Sequence, residues 1–237
     1  MASMEFNGYE IGPGAYLRDA DLSDADLEEA ILNSATLVRA NLIRANLVEA
    51  SLVGANLSNA TLMGADLKWA NLDAANLSGT NLQNANLLGA TLYSAILYSA
   101  NLAGACLTGA ELYSANLERA ILFSAILDGA NLAGANLYRG NLGKAVVEGT
   151  NLRSAILHRA NLREADLGDA RLFSADLSGA DLEHANLRGA NLTRARLDGA
   201  DLTGADIEGA KFLGAVADDS TSWPTGFDAA AAGVLVG

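Results

Sequence analysis

The stretch ANLAGANLYRGNLGKAVVEGTNL, residues 130–152, decides the fold. It opens on a five-residue beat, Ala130-Asn131-Leu132 and Ala135-Asn136-Leu137, and then changes its letters. Gly140 and Thr150 stand where Ala would, and Val146-Val147 replaces Asn-Leu. The spacing does not change. Stepping by five from Leu17 to Phe212 visits forty positions, of which thirty-seven are Leu and the others are Val147, Ile207 and Phe212. Two residues before each stands Ala, apart from Thr80, Gly140 and Thr150. VVEGT is therefore substitution inside a repeat, with no residue inserted or deleted.

An α-helix cannot use this period. Five residues advance a helical side chain by about 500°, so successive Leu would scatter around the axis in steps of about 140°. A strand can use it, because residues two apart share a face and each Ala-x-Leu points both apolar groups to one side. The two residues that follow must then turn the chain so that the next Ala-x-Leu faces inward again. Four such corners close a square, which makes one coil 20 residues long. Coils stacked at the strand spacing of roughly 4.8 Å predict about ten coils and a rod on the order of 45 Å. Leu fills the centre and Ala a narrower inward slot, a size limit that Gly140 and the two Thr obey. The second residue after Leu is often Gly, Ser or Asn, as at Gly54, Gly109 and Gly149, where a type II turn needs positive φ. The residue before Leu is usually Asn or Asp, whose side chain can bond nearby backbone or stack into ladders.

The pattern Ala-(Asn/Asp)-Leu-x-x, as in ADLSDADLEEA (20–30) and ANLSGTNLQNANLLGA (75–90), is similar to that of the pentapeptide-repeat proteins. The resemblance covers about residues 15–215 and implies an all-β fold, a right-handed quadrilateral β-helix. The flanks YEIGPGA (9–15) and DDSTSWPTGFDAAAAG (218–233) resemble the ends of cyanobacterial members. The expected organisation is an N-terminal cap at 1–14, the β-helix at 15–215 and a C-terminal cap or tail at 216–237. An open end would expose apolar core and unpaired backbone edges. Phe6 and Tyr9 are candidates to fold under the first coil, and Phe212, Trp223 and Phe227 to plug the last. DAAAAG is expected to form one or two helical turns between Asp228 and Gly233. A monomer or an end-to-end dimer fits such ends.

Composition narrows the chemistry. Among 237 residues the single cysteine, Cys106, excludes an internal disulfide and a thiolate metal cluster. The first residues lack the basic and apolar regions of a signal peptide, and no run of 18 apolar residues occurs, so a soluble cytoplasmic protein is the expectation. The net charge of −13 argues against direct nucleic-acid binding. It is uneven: residues 1–30 carry −7, residues 31–165 carry +1 and residues 166–210 carry −5. The only histidines, His158 and His184, belong to no metal-spacing motif, and there is no phosphate-cradling glycine loop. The carboxylates recur every five residues because the fold wants Asx there. No enzyme activity, cofactor or metal is expected.

Function must then reside on the outer columns, where residues 20 apart stack. One corner column reads Arg119, Arg139, Arg159, with Arg39 further along it. Beside it run Tyr98, Glu118, Tyr138 and His158, and Tyr93 and Tyr113 lie on the preceding face. Tyr and Arg are enriched in binding hot spots, so this area is the preferred surface for a protein partner; a solvated Arg/Tyr ladder is the alternative. A second column reads Cys106, Ile126, Val146, with Ile121 on the neighbouring face, either an apolar interface or the β-propensity of branched side chains. The expected function is a non-catalytic rigid scaffold or protein-interaction module whose partner is unknown. The alternative is DNA mimicry directed at DNA gyrase, known among members of the resembled family. It is favoured by the net charge and rod shape and opposed by the neutral middle and the Arg column.

Overall fold

Each repeat bends at the two residues after its inward Leu. The Leu carbonyl accepts a hydrogen bond from the N–H three residues on, as from Ala60 to Leu57 at 2.9 Å, which closes a four-residue turn. The second central residue has positive φ at all forty corners from Asp19 to Gly214. With positive φ there and not at the residue before it, these are type II turns. Fifteen corners use Gly; the other twenty-five hold side chains at φ between 52° and 60°, among them Arg119, Ala74 and Trp69. Gly, Ser and Asn are thus frequent there, as expected, but not required. The N–H of the same corner residue donates to the next coil, as from Arg119 to Tyr138 O at 2.9 Å, so the stack holds the conformation whatever the side chain.

The chain of the computed structural model is described over residues 4–237; residues 1–3 of the expected N-terminal cap lie outside the described residues. Between corners each repeat contributes one strand position, paired in parallel 20 residues on, from Tyr16 with Thr36 through Arg196 with Val216. From Thr36 to Val216 the strand residues bond both ways: Asn56 N donates to Ala35 O at 2.9 Å, and Leu37 N to Asn56 O at 2.7 Å. The result is a repeat β-helix of four faces. The Ala and Leu slots point inward together and are almost all fully buried, forming one continuous core. Thr80 and Thr150 enter it with their hydroxyls satisfied by Leu57 O at 3.0 Å and Leu127 O at 2.7 Å, so neither leaves a buried donor unpaired. The Asx position has its own local reason: its Oδ1 accepts the N–H two residues on, as from Ser58 to Asn56 at 3.1 Å. Many Asx amides also bond to the residue one coil earlier, as Asn151 does to Asn131 at 2.9 Å.

At the N-terminal end β1 (Met4–Phe6) pairs antiparallel with β2 (Tyr9–Ile11) through Asn7-Gly8, both at positive φ. Ile11 is buried, and Phe6 and Tyr9 pack against the core. At the other end Phe212 is buried in the Leu slot with Trp223 edge-on at 5.6 Å and Phe227 at 5.2 Å. The ladder continues past residue 215: Ser222 pairs with Asp201 at a spacing one residue longer than the rest. The tail then returns, and β4 (Leu235–Val236) pairs in parallel with β3 (Val216–Ala217). DAAAAG forms overlapping hydrogen-bonded turns, Ala232 N donating to Asp228 O at 3.1 Å and Gly233 N to Ala230 O at 3.0 Å. Ala231 N donates to Asp228 Oδ1 at 2.9 Å and Gly233 takes φ of 79°, as expected of its two ends, but pairing of Leu235 with the last coil draws the chain away.

Candidate protein-interaction face

The 20-residue pairing assigns every outer side chain to a face, and the four faces separate the residues that sequence reading grouped. Strand positions ten residues apart lie on opposite faces of the square. Ile126 and Val146 therefore sit opposite the strand column Ile96, Asn116, Asn136, Ile156, which adjoins Tyr98 and Tyr138. Tyr93 and Tyr113 belong to the face before that one, beside Glu111 and Asn131. One flat partner cannot touch all nine candidates.

The Arg corner does assemble. Arg119 reaches back one coil, donating from Nη1 to the Tyr98 hydroxyl at 3.1 Å, with its guanidinium 6.0 Å from that ring centre. It also lies 3.8 Å from Glu118. Arg139 covers the Tyr138 ring at 5.2 Å, and Tyr138 stacks on His158 at 5.6 Å with the planes 3° apart. Cation–π contacts at exposed sites contribute about 0.5–1 kcal/mol each, enough to hold the guanidinium planes against the rings. Within the same column Arg39 is engaged differently, forked onto Asp19 at 2.6 Å through both Nε and Nη2. Among the described residues no carboxylate lies within 4 Å of Arg139 or Arg159, both exposed.

Two residues that the sequence reading passed over complete this face. Ile96 and Ile156 occupy the Asx position of its strand column and are 42% and 44% exposed, where most repeats place Asn or Asp. The signal was available: each stands two residues before Tyr98 or His158 and so on the same side. The face thus presents Ile96 with Tyr98 at one end and Ile156 with His158 at the other, with the Arg corner along its edge.

The other candidates have their own settings. Partial burial and the neighbouring Glu111 carboxylate, which its hydroxyl also meets, raise the Tyr93 phenol above its ordinary range. Tyr113 is 52% exposed and stacks on no other ring among the described residues. Ile126 is 39% exposed, and one corner away on the same coil stand Ile121 and Phe123, the latter packed beside Gly143. Elsewhere the acids are occupied locally. Burial raises Asp176, but hydrogen bonds from Ser178 and the nearby Arg196 and His158 outweigh it and hold the carboxyl below its usual range. Asp181 goes the other way: burial, and Asp201 one coil on, raise it despite Arg163. Among the described residues no three His, Cys, Asp or Glu gather closely enough to hold a metal ion, and no helix is long and apolar enough to cross a membrane.

Comparison with known proteins identifies the repeat. The family model for pentapeptide repeats fits the chain in eight copies, over residues 14–47, 40–79, 75–112, 107–139, 130–169 and 175–214. Among solved structures, the chain is 37% identical to HetL of the cyanobacterium Nostoc sp. strain PCC 7120, a pentapeptide repeat protein involved in regulation of heterocyst differentiation. That match covers 88% of this chain and 87% of HetL, with a TM-score of 0.35. Rfr23 of the cyanobacterium Cyanothece 51142 is 46% identical over 41% of this chain and 63% of its own, with a TM-score of 0.31. Alr5209 of Nostoc PCC 7120 is 36% identical over 43% and 84%, with a TM-score of 0.43. A comparison with curated proteins returned no match. The repeat model spanning most of the chain and the identity to HetL along nearly its full length establish that the chain belongs to the pentapeptide-repeat family.

Proposed function

We propose that the chain is a non-catalytic rod, right-handed, of about ten coils at the strand spacing and closed at both ends by its aromatic clusters, that works by binding a protein partner. The partner docks on the face bounded by Arg119, Arg139 and Arg159, with Tyr98 and Tyr138 as aromatic anchors and Ile96 and Ile156 as apolar contacts. The observation that carries the reading is the contrast within one corner column. Arg39 is neutralised by Asp19, whereas Arg139 and Arg159 stand exposed with no carboxylate within 4 Å among the described residues. Like charges stacked one coil apart repel, and a partner carboxylate removes that repulsion while Tyr and Ile lose water. The partner is therefore acidic where it meets the corner.

Affinity capture tests this with two baits, the wild-type chain and the variant carrying Arg119→Glu, Arg139→Glu and Arg159→Glu. The exposed corner tolerates many side chains, so the variant folds. Wild type should retain a protein that the variant loses; equal capture by both refutes this face.

A further inference from the structure

The corner column next to the Tyr/Arg face has one rung missing. Five successive corners read Tyr93-Ser94, Tyr113-Ser114, Ala133-Gly134, Arg153-Ser154 and Phe173-Ser174. An aromatic or guanidinium group followed by Ser recurs at four of them, and only Ala133-Gly134 carries almost no side chain. The gap is open as a notch of about 460 Å³, walled by Tyr113 and Arg153 and floored by Ala133, Asn131 and Asn151.

Beyond the notch the column is a finished stack. The Arg153 guanidinium lies 5.1 Å from the Phe173 ring centre, and Arg194 lies 5.8 Å from the same ring. Before the notch stands Tyr113, exposed. Coils repeat at about 4.8 Å, so Tyr113 and Arg153, two coils apart, leave roughly 10 Å between them. That distance takes one planar ring at ordinary stacking separation on each side. The floor is committed: Asn151 Nδ2 donates to Asn131 Oδ1 at 2.9 Å, and Asn131 Nδ2 to Glu111 at 2.8 Å. Glu111, bonded to the floor residue Asn131 from the coil before, disfavours an anion, while Arg153 on the wall favours the negative face of an electron-rich ring.

We propose that this notch is a binding site for a single aromatic side chain, Tyr or Trp, presented by a protein partner, which enters as the missing rung between Tyr113 and Arg153. The inference rests on the chain being a protein-binding rod but not on the Arg corner, and it is tested without a partner. N-acetyl-L-tyrosinamide is titrated into the isotopically labelled full-length chain and followed by NMR, beside N-acetyl-L-leucinamide. The comparison variant is Ala133→Phe, which fills the rung from within; the column already accepts Tyr, Phe and Leu213, so it folds, as an unchanged unfolding midpoint confirms. Wild type should show saturable shifts at Ala133, Gly134 and Ser154 with a Kd on the order of millimolar, at least about tenfold weaker in Ala133→Phe and for the leucine amide. The Arg119/Arg139/Arg159→Glu variant should bind the tyrosine amide as wild type does, which separates failure of this site from failure of the Arg face. Absence of saturable shifts in wild type, equal binding of the leucine amide, or undiminished binding by Ala133→Phe overturns the proposal.

Discussion

Ala74 holds a left-handed backbone, φ of 56°, with an exposed methyl group. The left-handed region costs an L-residue roughly 1–2 kcal/mol, a penalty that Gly escapes because it has no Cβ to meet the following carbonyl. Ala74→Gly removes that strain and loses no buried contact. Against this, Gly gives the unfolded chain more freedom, which offsets about 0.4–1 kcal/mol. The net gain is about 0.5–1 kcal/mol, or roughly 1–4 °C in Tm for a chain of this length. The converse variant isolates the same term. Gly109 has φ of 64°, and a Cβ built there meets nothing within 4 Å, so Gly109→Ala adds strain without a clash and should lose about 1 kcal/mol. Denaturant midpoints at constant slope measure both. If Ala74→Gly destabilises, or Gly109→Ala is neutral, the corners do not have the type II geometry on which the coil rests.

Leu132, fully buried between coils fixed by ladder hydrogen bonds on both sides, should cost about 2–5 kcal/mol on Leu132→Ala, in the upper part of that range because the neighbouring coils cannot close the gap; chemical unfolding reads it. Acid should destabilise the rod. Hydrogen bonds from Ser23 hold Asp21, and those from Thr203 hold Asp201, below the usual carboxylate range. Their contribution is therefore present above the unfolded pKa of about 4 and is lost as pH falls through the lowered folded values, visible as a falling Tm. Asp181 has the opposite sign: burial raises it, so its charge opposes folding at neutral pH. Asp181→Asn keeps an oxygen for the Glu183 N–H, now accepted at 3.1 Å, and should raise Tm at pH 7 but not below about pH 3, where both side chains are neutral. Gyrase supercoiling should be unaffected by micromolar protein, with or without a quinolone, because the exposed Arg corner lies where a mimic of the phosphate backbone would carry acids; inhibition would contradict this.

The period was legible because it is a local rule applied forty times. An inward Ala, an Asx that bonds the corner N–H, an inward Leu and two turn residues specify one corner, and repetition multiplies a weak signal. The 20-residue coil followed from closing a square, and the pairing of Asn131 with Asn151 is its direct expression. Corner conformation was less legible. Composition pointed to small residues, yet Arg119 and Trp69 adopt the same positive φ as Gly109, since bonds to the next coil impose it. At the tail, DAAAAG turns between Asp228 and Gly233, and the parallel pairing of β4 with β3 that follows is a long-range contact with no local signal in that run. For the site, counting by 20 placed Arg119, Arg139 and Arg159 in one column, and counting by ten would have put Ile126 opposite Asn136. Side-chain lean could not be read that way. Arg119 bonds to Tyr98 one coil back and lies farther from Glu118, its neighbour in sequence.

The central claim is that the Arg corner and its flanking Tyr and Ile side chains bind an acidic protein. The most direct measurement is a calorimetric titration of the captured partner against wild type and against Arg139→Glu, at two salt concentrations. The account predicts an affinity at least about tenfold lower for the variant and a wild-type affinity that falls with added salt, as screening of charge pairs requires. Equal affinities for the two proteins, or a wild-type affinity indifferent to salt, would contradict it.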